Sequence, residues 1–258
     1  MADAFKVLVI GDTCEDEYVY GSVSRVSPEA PVPVLKYDYV EKTRGMAANV
    51  NQNLRSFGIV TDLLTHKESI VKTRFIDKES GYQLMRMDEE VEVTPISASQ
   101  LRSSFIHFGG FDAMIISDYG KGFVPQDRML ELIDTFQGPI FIDTKKTEIW
   151  HKDNVFWKIN RREYDLLDKT HDLFPLDSHL IVTQGSNGVK WSGITFPSEK
   201  VKVYDVTGAG DTFLAALVAK FMTTKDMQQS IDYANRAAAI AVQHPGVYTL
   251  TQKDIERL

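Results

Sequence analysis

Near the last third of the chain, Gly208-Ala209-Gly210-Asp211 joins a backbone anion site to a carboxylate. Glycines at 208 and 210 permit positive φ and close approach, so successive N–H groups can point at one oxyanion. The apolar run that follows reads as a helix, whose N-terminus adds a modest positive field. An aspartate in such a turn is also a common helix cap. The alternative gives the two parts different tasks. The N–H groups of Gly208, Ala209 and Gly210 would stabilise charge on a transferring phosphoryl group, while Asp211 accepts the proton of the attacking hydroxyl. A carboxylate suffices, because alcohol attack on phosphorus is loose and deprotonation can come late. The stretch has neither the Gly-Lys-Ser/Thr of a P-loop nor the G-x-G-x-x-G of a dinucleotide site.

A second pair, Asn160 and Glu163, stands where an apolar stretch, VFWKIN, gives way to the helical pattern RREYDLLDK. Asn followed three residues later by Glu is a capping box. The same oxygens suit hydrated Mg²⁺, which keeps its waters and is held through one or two carboxylates.

These residues require a scaffold that presents strand ends and helix starts on one side. FKVLVI, AMIISD, PIFIDT, VFWKIN and HLIVTQG read as buried strands, alternating with helices at 46–58, 126–136, 209–222 and 226–242. Such alternation predicts an α/β fold with a mostly parallel sheet and helices on both faces, its ligands at the C-terminal strand ends. GVKWSG and KVKVYDV read as antiparallel additions. The proline-led SRVSPEAPVPVLKYDYV disfavours a central strand and predicts a protruding flap. VKTRFID and YQLMRMDEE, separated by KESG, predict a hairpin that joins it. The expectation is one domain over 1–258, with a small β lid from about 14–44 and 71–91.

The net charge of −7 argues against a nucleic-acid binder. The single cysteine, Cys14, points to a reducing cytoplasm. No membrane span or signal sequence is expected.

DVTGAGDTF resembles the C-terminal signature D-T-x-G-A-G-D-x-F of the ribokinase-like (PfkB) carbohydrate kinases, and the resemblance extends along nearly the whole chain. It implies a three-layer α/β/α fold, ATP and Mg²⁺ as cofactors, and Asp211 as base. GDTCEDEY is similar to the loop whose acid holds the sugar, which puts Asp16 there with Asp12 as a neighbour. RGMAANV is similar to the G-G-x-x-A-N block, implying Gly45 and Asn49 on sugar hydroxyls, but Met46 replaces its second glycine. INRREYD resembles N-x-x-E, with Asn160 near phosphates and Mg²⁺ and Glu163 acting on the metal through water. VTQGSNG resembles the loop along the nucleotide, implying Thr183, Gly185 and Gly188. YANRAAAIAV is similar to the helix beside adenine, with Asn235 the matching residue. A monovalent cation such as K⁺ is a further expectation, from Asp205 and HPGV.

A narrower resemblance joins the flap, SDYGKG and IDTKK to bacterial heptose-7-phosphate kinases, with Thr144 and Lys146 where proline and glycine are common. It implies a phosphosugar acceptor, phosphorylated at the anomeric hydroxyl, and Asp118 on sugar hydroxyls. Arg25, Arg44, Lys72, Arg74, Arg86 and Lys121 are cations for its existing phosphate. A fructose- or ribose-type kinase and a silent sugar-binding regulator are the rivals. No H-x-G-H block follows, so no fused nucleotidyltransferase is expected, and the segment between Asn160 and His179 reads as short. An exposed lid edge wants a cover, which predicts a homodimer through the lid.

Overall fold

A computed structural model of the protein describes residues 5–101, 110–167 and 177–258. Its centre is an eight-stranded sheet built from β1 (Lys6–Gly11), β4 (Val60–Leu64), β7 (Ala113–Asp118), β8 (Ile140–Thr144), β9 (Val155–Asn160), β10 (Leu180–Thr183), β11 (Val189–Trp191) and β12 (Ile194–Phe196). The order is β12-β11-β10-β9-β8-β7-β1-β4, parallel from β10 to β4 and antiparallel for the last two strands.

Side chains that alternate along each strand feed two separate cores, as a period of two requires. Val7, Val9, Ala113, Ile115, Phe141 and Ile181 pack with helices α1 (Ala47–Ser56), α4 (Ala209–Thr224) and α5 (Met227–Ala241). Leu8, Ile10, Met114, Ile116, Ile142 and Trp157 pack on the other face with Met129 and Leu132 of α2 (Gln126–Thr135). Helices on both faces of one sheet make the expected α/β/α layers. Two short helices, α3 (Arg161–Leu166) and α6 (Gln252–Ile255), complete the described set.

The flap forms a second, four-stranded sheet of order β3-β2-β5-β6, from β2 (Thr13–Val26), β3 (Pro33–Met46), β5 (Val71–Asp77) and β6 (Gln83–Glu89). The proline-led strand β3 lies at its edge, and β5–β6 is the expected hairpin. Hydrogen bonds tie this sheet to the body: the Val247 amide donates to the Tyr18 hydroxyl at 2.9 Å, and the Thr13 amide donates to His66 Nε2 at 3.1 Å.

Two expectations are corrected. KVKVYDV is not a strand. Residues 194–196 take the place beside β11, because Ser192 (φ 48°) and Gly193 (φ 74°) turn the chain at once. The 200–206 stretch instead runs beside α5, where Tyr204 N–H donates to the Val242 carbonyl at 2.7 Å. The helix expected over RREYDLLDK ends at Leu166, and its last residues, Asp168 and Lys169, lie outside the described residues, as does most of the short segment before His179.

Candidate active site

The C-terminal ends of the parallel strands converge on Asp211, in the first turn of α4 and only 2% exposed. Gly208 caps this helix in the left-handed region at φ 75°, and a Cβ there would lie 2.8 Å from Asn49 Nδ2. The N–H of Ala209 is taken by the Val206 carbonyl at 3.3 Å. Those of Gly208 and Gly210 have no partner among the described residues, so two donors rather than three remain for an anion. Asp211 itself receives Tyr119 OH on Oδ1 (2.6 Å) and Asn49 Nδ2 on Oδ2 (3.1 Å). Burial pushes its pKa up from 3.8 to about 6, opposed by those two hydrogen bonds.

Beneath Gly210 lies a cation that sequence reasoning missed. Lys158 Nζ is 3.0 Å from where a Gly210 Cβ would be, and it pairs with Asp143 at 2.6 Å. Burial works most strongly against its charge, but Asp143, Asp211 and Glu163 together hold the ammonium above its usual range. The available signal was a lysine inside VFWKIN, an otherwise buried strand. The ammonium end of this buried pair is the end that faces the bare glycine turn.

Asn160 and Glu163 form the capping box in full. Asn160 Oδ1 accepts Glu163 N–H at 2.9 Å, and Glu163 Oε2 accepts Asn160 N–H at 2.7 Å. Glu163 Oε1 also holds the Lys145 ammonium. A cation is therefore already stabilised at this carboxylate, and the all-oxygen set of Asn160 and Glu163 matches what hydrated Mg²⁺ takes.

A cavity of about 400 Å³ opens beside the glycine turn, lined by Thr183, Gly185, Gly188, Gly210, Phe213 and Asn235 among others. Gly185 (φ 58°) and Gly188 (φ 86°) need positive φ, and a Cβ on Gly188 would meet the Phe196 carbonyl at 1.9 Å. Thr183 donates to the Ile159 carbonyl, and Asn235 donates weakly to the carbonyls of Phe196 and Pro197.

On the opposite side lie Asp16, Gly45 and Asn49. Asp16 Oδ1 accepts Arg74 Nη1 at 2.6 Å, and a Cβ on Gly45 would sit 2.0 Å from Asp16 Oδ2. Asn49 reaches the base: its Nδ2 is spent on Asp211 and its Oδ1 accepts from Asn53 at 2.9 Å. Met46 occupies φ 58°, ψ −135°, backbone that glycine adopts freely and a side chain resists.

Other expected residues are engaged elsewhere. Asp12 is fully buried and accepts the N–H groups of Tyr119, Lys121 and Phe123, so it builds a loop. Asp118 accepts Thr144 Oγ1 (2.6 Å), Lys146 Nζ (2.7 Å) and Gly120 N–H (3.0 Å), which leaves it turned into the protein. Lys121 pairs with Glu90, and Arg86 with Asp88 on the exposed strand β6. Arg25, Arg44 and Lys72 have no ion-pair partner among the described residues. Lys72 lies directly across from Asp16 in the lid register, on the face that carries Tyr18 and Arg74. Asp205 holds Thr207 and the Gly246 amide, joining the two segments of the expected monovalent-cation loop.

Residues 148–254 match the pfkB family carbohydrate kinase model. The chain is similar to the bifunctional protein HldE of Hydrogenovibrio crunogenus, 31% identical over 97% of this chain and 62% of that one. It is also similar to HldE of Campylobacter curvus, 31% identical over 100% of this chain and 66% of that one. The chain thus spans about two thirds or less of these relatives' length. Its fold resembles a ribokinase from Thermotoga maritima (TM-score 0.70, 17% identical, 98% of each chain). It also resembles phosphofructokinase-2 from Escherichia coli in complex with potassium (TM-score 0.72, 14% identical, 98% and 97%). The fold is ribokinase-like. The matched part of the chain, residues 148–254, groups with the pfkB family carbohydrate kinases.

Proposed function

We propose that this protein transfers the γ-phosphoryl group of ATP to the anomeric hydroxyl of a heptose 7-phosphate, giving the 1,7-bisphosphate. One observation carries the reaction: a buried carboxylate, Asp211, stands between a bare glycine turn and a polar pocket. The hydroxyl held on the Asp16–Gly45 side gives its proton to Asp211 as its oxygen attacks phosphorus. The N–H groups of Gly208 and Gly210, with Lys158 beneath, face the charge on the transferred group. ATP in the 400 Å³ cavity would supply the activated phosphoryl group and leave as ADP, and Asn160 and, through water, Glu163 would hold its Mg²⁺. Asp205 and the 244–247 turn are the place for K⁺.

The acceptor assignment rests on the relatives named HldE and on the unpaired Lys72 beside Asp16, which suits a second phosphate on the sugar. Asp118 acts through the 119–123 loop rather than on the sugar. We further propose a single kinase domain whose lid pairs with that of a second copy. The outer lid face carries one apolar row across all four strands, Val40, Val19, Phe75 and Met85. A monomeric mass at micromolar concentration would rule the dimer out.

The deciding experiment is a panel of sugars with ATP and Mg²⁺, read as ADP release and as the phosphorylated product. Heptose 7-phosphate should be turned over at least a hundredfold more efficiently than ribose or fructose. Turnover of an unphosphorylated sugar alone would replace the substrate, and sugar binding without any turnover would make the protein a regulator.

A further inference from the structure

Tyr119 is the residue of SDYGKG that neither the glycine motif nor the acceptor pocket explains. Its hydroxyl donates to Asp211 Oδ1 at 2.6 Å, while Asn49 donates to Oδ2 at 3.1 Å. The two donors come from different elements, the loop after β7 and helix α1, so together they fix the rotation of the carboxylate. A large investment of buried charge holds Tyr119 there. Asp12 accepts the N–H groups of residues 119, 121 and 123, and Asp118 accepts that of Gly120. Asp118 is in turn clamped by Thr144 and Lys146. Lys145 lies 5.1 Å from the centre of the Tyr119 ring and pairs with Glu163. The tyrosine therefore touches the base at one end and the donor-side carboxylate, through Lys145, at the other.

We infer that Tyr119 is a positioning residue for phosphoryl transfer: its hydroxyl orients the Asp211 carboxylate and sets the pH range over which that base is ionised. The inference rests on the kinase reading above. Five groups face Asp211: Tyr119, Asn49 of α1, Cys14 of β2, Asp143 of β8 and Lys158 of β9. Burial and Asp143 favour the neutral acid, while Tyr119, Asn49 and Lys158 favour the anion. Among the latter Tyr119 is foremost. Burial and the neighbouring Asp211 raise the phenol's own pKa well above its ordinary value, so it stays a donor throughout the working range. Removing the hydroxyl leaves an anion with one donor fewer in the same dry site, and its pKa must rise.

The test compares the wild-type enzyme with Tyr119→Phe and with 3-fluorotyrosine at position 119, whose more acidic phenol is the stronger donor. Two readouts are taken: the acid limb of kcat/KM, and the ¹³C resonance of the Asp211 carboxyl in the protein without substrate, assigned with Asp211→Asn. Tyr119→Phe should move both upward by about one pH unit. Its rate should fall about fivefold near pH 6, recover at pH 8.5, and leave the acceptor KM within about threefold. The fluorinated residue should move both the other way. A packing role alone lowers the rate equally at all pH values, and a resonance that titrates as in wild type overturns the inference. A shifted resonance in a protein that phosphorylates no sugar overturns the kinase reading and leaves the coupling of Tyr119 to Asp211 in place.

Discussion

On the donor side of Asp211 the cavity is lined mostly by glycines, alanines and valines, with Glu199 and Lys200 as its charged residues and Thr183 and Asn235 bonded to backbone carbonyls. On the acceptor side the wall is made of buried charges and hydrogen-bonded side chains: Asp12, Asp16, Arg74, Asn49 and Tyr119. The first half recognises through bare backbone and shape, which many sequences can supply. The second depends on pairs joined across long stretches of chain, where one lost partner strands a buried charge. Donor binding should therefore tolerate side-chain changes, and acceptor binding should not.

The sharpest way to break this contrast is the residue between the halves. Asp211→Asn should lower kcat by about 10³-fold while leaving ADP affinity unchanged by calorimetry. It should also stabilise the fold at pH 8. The raised carboxyl pKa favours folding fully below 3.8, and that contribution is lost as pH rises through about 6. At pH 8 the ionised group costs on the order of 3 kcal/mol, which asparagine avoids. A melting temperature lowered at pH 8 would contradict the assignment.

Lys158→Met should come next, since it leaves Asp143 buried without its partner. Denaturant unfolding should show a loss of about 3–5 kcal/mol. The double change with Asp143→Leu should recover most of it. Gly45→Ala tests the acceptor wall alone, because the new methyl would meet Asp16 Oδ2. The acceptor KM should rise at least about tenfold, with the ATP KM unmoved. The wild-type rate itself should fall on acidification through about pH 6, as Asp211 takes up its proton.

Met46→Gly has the smallest expected effect. Relieving a positive φ is worth about 1–3 kcal/mol, but the methionine side chain is buried in the core beside β1. Loss of that packing, at about 2–5 kcal/mol, should outweigh the relief and lower Tm by a few degrees.

The same contrast explains what the sequence made legible. Short apolar runs alternating with helical patterns declared the sheet, because both signals are local. The glycine turn at 208–210 and the Asn160–Glu163 cap could be read for the same reason, each lying within four residues. Tyr119 could not be tied to Asp211 in advance, since 92 residues separate them. Thr144 and Lys146 looked like two unrelated departures from proline and glycine. Both prove to grip one carboxylate oxygen, Oδ2 of Asp118, so they are a matched pair. The acids of the first strand end were visible, but their protein partners appeared only in the fold. Asp12 shows this, because its three partners lie more than a hundred residues away.

The bond from the Val247 amide to the Tyr18 hydroxyl has a use as a clock. That proton exchanges when its bond to the four-stranded sheet opens, so its exchange with deuterium counts such openings. A phosphosugar that holds the sheet closed should slow this single amide, whereas a nucleotide in the cavity beyond Asp211 should leave its rate as it was.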